Sequence, residues 1–167
     1  IGETGLDYFH NYGDRESQVN LFVKQLDIAG RVGLPVVIHN RDAGADVLSI
    51  LGDKLSACGG VLHCYSEDLE FTMRALELNL FISFAGNVTY RSSRKLQEVA
   101  SSIPLDCLLI ETDTPFMAPA SHRGQRNKPA FLEETARFIA ELRDLSEKEF
   151  SEAVLTNSQR FFNLNDQ

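Results

Sequence analysis

The sequence lacks several features that define large classes of proteins. It has no tryptophan and only three cysteines in 167 residues, and the cysteines lack the Cys-x-x-Cys spacing of a structural zinc site. An odd number of cysteines disfavours a disulfide scaffold and suits a reducing compartment. The longest apolar runs, such as Cys107 to Ile110, are far shorter than the roughly 20 residues that span a bilayer. We therefore expect a cytoplasmic protein without a membrane partner.

Positive charge is also scarce. Sixteen Lys and Arg residues stand against 24 Asp and Glu residues, which gives a formal net charge of -8. A surface with this balance does not attract nucleic acid as a whole, so any polyanion must be bound locally. The composition is otherwise that of a globular protein, with 43% hydrophobic and 24% charged residues. Because no linker or low-complexity tract divides the chain, we predict one domain over residues 1–167.

Short apolar runs alternate with stretches of helical periodicity along the chain. The strands predicted from these runs are residues 1–2, 36–38, 60–62, 80–84 and 108–110. Apolar residues between them recur on one helical face. The predicted faces are Val19, Phe22, Leu26 and Ala29; Leu69, Met73, Leu76 and Leu80; and Leu132, Ala136 and Ile139. A capping-box signal at Ser146 and Glu149 predicts a last helix through about Leu155.

Alternating strands and helices predict an α/β fold with a parallel sheet. Polar residues recur at the predicted strand ends at intervals near the roughly 31 residues of one unit in an eight-unit βα barrel. About five such units fit the chain. An open sheet and a barrel both place functional groups at the carboxyl ends of the strands.

Glu3, His39, His63 and Asp113 each follow one of these apolar runs. If parallel strands bring their ends together, the four side chains form a mixed imidazole and carboxylate cluster. Such ligands suit zinc, manganese or iron better than calcium or magnesium. A bound divalent ion lowers the pKa of its water and polarises a phosphoryl or carbonyl oxygen. The predicted reaction is therefore hydrolysis, although either histidine alone would more often be structural.

Two acidic residues near this cluster have other predicted roles. Asp7 can cap a turn or orient His39. Glu111 lies two residues before Asp113 and is predicted to support the site or cap a helix rather than to bind metal.

One dense basic stretch, residues 121–129, follows the strand of Asp113. Guanidinium groups match phosphate oxygens in pairs, so Arg123, Arg126 and Asn127 are predicted to bind substrate phosphate. A solvated loop is the alternative. For the stacking of bases the sequence offers only aromatic residues near strand ends, which are Tyr65, Tyr90 and Phe116.

Five segments resemble the TatD family of metal-dependent deoxyribonucleases, in order and spacing. They are Gly2–Tyr8, Val37–Ala43, Leu62–Ser66, Glu111–Phe116 and Arg123–Asn127, and the segment Asn157–Phe162 is similar to the family's terminal helix. The resemblance covers essentially the whole chain. It implies a βα barrel of the amidohydrolase, TIM-barrel type, here an incomplete barrel of about five units. It also implies that Glu3 joins two metal sites, with His39 and His63 as ligands.

The resemblance implies a reaction as well. Asp113 would bind metal and steer or deprotonate the attacking water, while Asp7, Arg41 and Glu111 support the ligands. Family members hydrolyse phosphodiester bonds in DNA, commonly as exonucleases on single strands, with magnesium, manganese or zinc. We therefore expect up to two divalent ions in the complete enzyme, DNA as the substrate and no obligate protein partner.

One family feature is missing from these residues. The family has a His-x-His pair at the end of its first strand, and the remaining histidines, His10 and His122, form no such pair. The Glu3 motif ends the family's fourth strand, so we expect the chain to be the carboxyl-terminal portion of a longer barrel. Alone, it is expected to bind at most one ion weakly and to show little nuclease activity. The alternatives are a related ester or amide hydrolase, such as a deacylase, and a truncated non-catalytic homologue acting as an interaction module.

Overall fold

Strands and helices alternate along the chain in the computed structural model, which describes residues 1–10 and 12–164. The strands are β1 (Thr4–Asp7), β2 (Val36–Arg41), β3 (Gly60–Leu62), β4 (Phe81–Phe84) and β5 (Leu108–Ile110). The helices are α1 (Arg15–Val32), α2 (Gly44–Lys54), α3 (Leu69–Glu77), α4 (Arg94–Ser102), α5 (Leu132–Leu142) and α6 (Glu147–Phe162). The strands are parallel and follow chain order in the sheet. The predicted α/β class with five parallel strands is confirmed.

The residues pack as two compact units. The first comprises Ile1–His63 with Met73–Phe81, and the second comprises Cys64–Thr72 with the chain from Ile82 onwards. The single catalytic domain over residues 1–167 stays a prediction. Among the residues that the structure describes, no helix combines the length and the apolar character needed to cross a lipid bilayer.

The core of the first unit lies between its strands and the helices α1 and α2. Helix α1 is capped at its amino end by Asp14, whose carboxylate accepts the Ser17 N–H, and at its carboxyl end by Gly33 in the left-handed conformation. Aspartate and glycine are favoured at these two cap positions. The predicted apolar face is largely confirmed, because Phe22, Leu26 and Ala29 are buried. Each large side chain buried in this way stabilises the fold by about 1.5–3 kcal/mol.

Two strand boundaries differ from the prediction. The Val37 N–H donates to the Ile1 carbonyl and Thr4 pairs with Ile38, so Glu3 precedes β1 instead of following a strand. Strand β2 continues beyond His39 to Arg41. The reason is that backbone hydrogen bonds extend the ladder through polar residues, which an apolar pattern does not reveal.

The core of the second unit lies between β4, β5 and the helices α4, α5 and α6, with Phe84, Leu108 and Phe150 fully buried. The predicted capping box at Ser146 and Glu149 is present, and α6 extends past Leu155 to Phe162.

Helix α3 has a different buried face from the predicted one. Met73 is 54% exposed, whereas Thr72 and Ala75 are buried. The Thr72 hydroxyl donates to the Asp68 carbonyl at 2.6 Å. Because this local bond satisfies the hydroxyl, Thr72 can be buried although it is polar, and Met73, which the apolar pattern predicts to be buried, is exposed instead.

Candidate metal centre

Three side chains of the first unit converge where β1, β2 and β3 lie side by side. The His63 N–H donates to the Ile38 carbonyl at 3.0 Å, which continues the pairing of β2 with β3 and places His63 beside His39. Glu3 Oε1 lies 2.8 Å from His39 Nδ1 and 2.8 Å from His63 Nε2. The two ring nitrogens are 3.4 Å apart. Three predicted ligands are therefore adjacent.

These atoms fit a divalent ion. Two imidazole nitrogens and one carboxylate oxygen all lie within 4.8 Å of one another. Zinc binds nitrogen and oxygen at about 2.0–2.2 Å, so tetrahedral ligand atoms lie roughly 3.4 Å apart. The ring nitrogens of His39 and His63 have that separation. The mixed donor set favours zinc, manganese or iron over calcium and magnesium, and the Glu3 side chain is 51% exposed, which leaves its carboxylate open to a second ion.

Asp7 orients His39 from the other side of the ring. Its Oδ2 lies 3.0 Å from His39 Nε2, an arrangement that favours the proton on Nε2 and directs Nδ1 toward Glu3 and His63. A carboxylate bonded to the far nitrogen of a ligating histidine is a common support of metal sites.

Asp7 also caps the turn that follows β1. Its Oδ1 accepts the N–H groups of Phe9 and His10 at 3.0 and 2.8 Å, and Oδ2 lies 2.8 Å from His10 Nδ1. Burial raises the pKa of Asp7, but the hydrogen bonds from His10 and His39 outweigh it and lower the pKa to about 2. The carboxylate is thus charged at neutral pH. The turn cap is present, and the contact with His39 supports the orienting role, which stays a prediction.

Gly5 allows the backbone that bears His39 to approach β1. The two residues pair in the ladder, and Gly5 has φ 140°. A Cβ at this position would lie 2.0 Å from the His39 carbonyl oxygen. Only glycine fits here without displacing a predicted ligand.

A second acidic cluster lies within the second unit, after β5. Glu111 Oε1 accepts the Cys64 N–H at 3.1 Å, and Cys64 Sγ donates to Asp113 Oδ2 at 3.4 Å. Both Cys64 and Asp113 have positive φ, at 43° and 54°, a conformation that non-glycine residues adopt rarely and often at functional sites. The contact with Cys64 gives Glu111 a positioning role. That Asp113 acts with Glu3 and the two histidines stays a prediction.

Sequence reasoning missed two side chains near these residues. Cys64 contacts Asp113, and His10 contacts Asp7. Signals for both exist: Cys64 directly follows His63, and an aspartate three residues before a histidine in a turn can reach its ring.

The predicted phosphate-binding residues lie in the loop after β5. The Arg123 guanidinium lies 4.7 Å from the centre of the Tyr90 ring, and Arg126 is exposed. Asn127 is buried, and its amide nitrogen donates to two carbonyls of the same loop at 2.6 Å each. Asn127 therefore holds the loop in shape through these bonds. The phosphate contacts of Arg123 and Arg126 stay predictions.

Arg41, which was predicted to support the ligands, and the aromatic residues considered for base stacking differ in their surroundings. Arg41 lies over the Phe9 ring, 4.9 Å from its centre. Tyr65 is only 3% exposed and its hydroxyl is 2.6 Å from the Thr72 hydroxyl, so its ring is not accessible for stacking on a base. Phe116 is 67% exposed.

Parallel βα units, with two imidazoles and a carboxylate close enough to bind one ion, are together typical of the metal-dependent hydrolases. Within that class, the chain belongs to the TatD related DNase family, whose model matches residues 1–163. This confirms the predicted family.

Relatives and a solved structure agree with this family. The chain is 41% identical to YcfH, an uncharacterized metal-dependent hydrolase of Escherichia coli K12, over 165 residues that cover 98% of this chain and 62% of YcfH. It is 40% identical to YabD of Bacillus subtilis, named in the same words, over 99% of this chain and 65% of YabD.

The crystal structure of YjjV, a TatD homolog from Escherichia coli K12, matches with a TM-score of 0.92 at 33% identity. The match covers 97% of this chain and 62% of YjjV. This likeness confirms the predicted TIM-barrel type. The chain spans less than two thirds of the length of each of these relatives.

Proposed function

We propose that this chain carries part of the catalytic site of a metal-dependent nuclease that hydrolyses phosphodiester bonds in DNA, as an exonuclease on single strands. The observation behind the proposal is the Glu3 oxygen that lies 2.8 Å from both histidine nitrogens. The names of the relatives support a metal-dependent hydrolase, and the description of the family model supports DNA as its substrate.

Glu3, His39 and His63 hold the ion in the proposed site, and Asp7 keeps the His39 ring turned toward it. A divalent ion bound there lowers the pKa of a coordinated water and polarises a phosphoryl oxygen. Asp113 would take the proton of the water that attacks the phosphorus, while the bond from the phosphorus to the leaving oxygen breaks and that oxygen takes a proton from solvent. Glu111 holds the backbone of Cys64, and the Cys64 thiol donates to Asp113, so these two residues orient the proposed base.

The basic loop supplies the proposed grip on the substrate. Arg123 and Arg126 are exposed and belong to the one dense basic stretch of a chain whose net charge is -8. Their guanidinium groups contact the phosphates that flank the scissile bond. A phosphodiester therefore suits this loop better than a small neutral ester or amide.

The substitution Asp113→Asn tests the proposal. The amide cannot accept the proton, so manganese-dependent cleavage of a single-stranded oligonucleotide is expected to fall by roughly 100-fold or more, with an unchanged circular dichroism spectrum. Asp53→Asn, on the exposed surface of α2, is the matched control and should cleave like the unaltered chain.

Cleavage is best measured on two proteins, because the family's His-x-His pair is not among these 167 residues. One is the chain itself, for which slow turnover is expected. The other is a fusion to the portion of YcfH outside the matched region. Near-unaltered cleavage by the Asp113→Asn fusion contradicts the proposal. Hydrolysis of carboxylic esters or amides without DNA cleavage would instead support the deacylase alternative.

A further inference from the structure

Three aromatic rings lie side by side after β1 and are open to solvent. Phe9 is 56% exposed and Tyr12 is 81% exposed. The His10 ring stacks on the Tyr12 ring, with centroids 5.3 Å apart and planes 15° apart. The Phe9 ring meets the His10 ring edge to face at 4.8 Å. We call Phe9, His10 and Tyr12 the aromatic edge.

Asp7 connects the aromatic edge to the candidate metal centre. One oxygen of its carboxylate, Oδ2, lies 2.8 Å from His10 Nδ1 and 3.0 Å from His39 Nε2. The aromatic edge is therefore separated from a predicted metal ligand by a single hydrogen-bonded side chain. A ligand that stacks on these rings therefore lies next to the Asp7 side chain, which contacts His39.

A positive charge accompanies the rings. The Arg41 guanidinium lies 4.9 Å from the centre of the Phe9 ring, and Arg41 ends the strand that bears His39. A cation held over an aromatic face remains available to an anion at its outer side. Flat rings next to a guanidinium match the two parts of a nucleotide, since the base stacks and the phosphate pairs with the charge.

We propose that the aromatic edge, with Arg41, stacks unpaired bases of a single-stranded nucleic acid beside the metal centre. This assignment rests on the proposed function and adds to it the residues that bind the bases of the single strand. Base stacking on aromatic side chains tolerates any sequence, because every base has a π face. Bases inside a duplex are already stacked on both sides, so the aromatic edge selects single strands.

Fluorescence anisotropy with a labelled ten-nucleotide thymidine oligomer tests the proposal on this chain, in the presence of a chelator so that nothing is cleaved. Phe9→Ala and Tyr12→Ala are each expected to weaken binding about fivefold or more, whereas Tyr12→Phe retains the ring and the affinity. Leu21→Ala removes a 58% exposed apolar side chain of α1 and is the matched control, with unchanged affinity. Circular dichroism verifies that each variant is folded.

Three further probes separate stacking from charge. An abasic oligomer with the same number of phosphates should bind all the variants equally, and a blunt duplex should bind more weakly than the single strand. A uridine oligomer distinguishes the source of the base: equal weakening by Tyr12→Ala supports stacking of either nucleic acid, and weakening confined to the thymidine oligomer supports stacking of DNA.

The proposal is overturned if Phe9→Ala and Tyr12→Ala bind the thymidine oligomer as the unaltered chain does, or if no oligomer binds. The proposal is also overturned if Tyr12→Ala weakens binding of the abasic oligomer as much as binding of the thymidine oligomer. Binding of the duplex as tightly as the single strand by the unaltered chain overturns it too. Cleavage of the abasic oligomer with manganese by the fusion to YcfH described above reports on the metal centre alone. No cleavage together with Tyr12-dependent binding counts against the proposed function, whereas cleavage with Tyr12-independent binding counts against the aromatic edge.

Discussion

At the scale of single residues, Asp7 joins the candidate metal centre to the turn that follows β1. Its two oxygens accept hydrogen bonds from the turn after β1 and contact the rings of His10 and His39. Identity and spacing predicted both of its roles as alternatives. The shared oxygen between two histidines could not be predicted, because it depends on how the turn folds back over β2.

Replacing Asp7 by Asn should destabilise the chain by about 1 kcal/mol at pH 7, since charge-assisted hydrogen bonds to the carboxylate are lost. The folded-state pKa of about 2 lies below the ordinary value of 3.8. The carboxylate therefore stabilises the fold fully above about pH 4, and this contribution disappears as the pH falls toward 2. Urea unfolding at pH 7 and at pH 3, with chelator present, measures the difference.

The matched control for this measurement is Asp53→Asn, an exposed change expected to alter stability by less than about 0.5 kcal/mol. A destabilisation by Asp7→Asn that is as large at pH 3 as at pH 7 would show that the charge of the carboxylate is not what stabilises the turn.

At the scale of secondary structure, local signals predicted helices better than strand ends. The predicted capping box at Ser146 and Glu149 is present. The ends of β1 and β2 could not be located, because a parallel ladder depends on a partner strand distant in sequence. The buried face of α3 was shifted for a different, local reason, since the Thr72 hydroxyl donates to the carbonyl of Asp68, the residue before the helix.

Helix α6 is tied to the start of β5 by one side chain. The buried Asn157 amide donates to the carbonyls of Leu105 and Leu108 at 2.7 and 2.8 Å. Asn157→Ala leaves both carbonyls unsatisfied and should destabilise the chain by about 2–3 kcal/mol. Thermal or urea unfolding measures this loss.

Thr156→Ala is the neighbouring control, because Thr156 is exposed and its hydroxyl donates only within α6. Its effect should stay within about 0.5 kcal/mol. If the two variants unfold alike, the bonds of Asn157 do not hold α6 to β5.

At the scale of the whole molecule, the sequence predicted the family and the proximity of three of the four side chains predicted to bind metal, but not the aromatic edge. Motif spacing is informative about ligands because strand order brings Glu3, His39 and His63 together. The rings of the aromatic edge belong to a turn, where no periodicity predicts which side chains stack. Division into two compact units was not predicted either, since it depends on packing between distant segments.

The net charge of -8 makes nucleic-acid binding a local property of few residues. Arg123→Ala combined with Arg126→Ala should lower the slope of log affinity against log salt by roughly 1.4, because each lost contact with a single strand removes about 0.7. Titrations of the thymidine oligomer at several salt concentrations measure the slope. The matched control combines Arg31→Ala with Arg74→Ala, on exposed helical surfaces, and should leave the slope unchanged. An unaltered slope in the Arg123→Ala, Arg126→Ala variant would show that the loop is only a solvated surface.

The central claim is that Glu3, His39 and His63 hold a divalent ion, and equilibrium dialysis against zinc or manganese tests it most directly. The unaltered chain is expected to bind at most one ion, weakly, and His39→Ala to bind almost none, because the substitution removes one of only three predicted ligands. His122→Ala is the control, since that ring stacks on Phe131 at 3.7 Å and lies 2.6 Å from Glu134; it should retain the ion. Equal metal content in the His39→Ala and unaltered chains would contradict the claim.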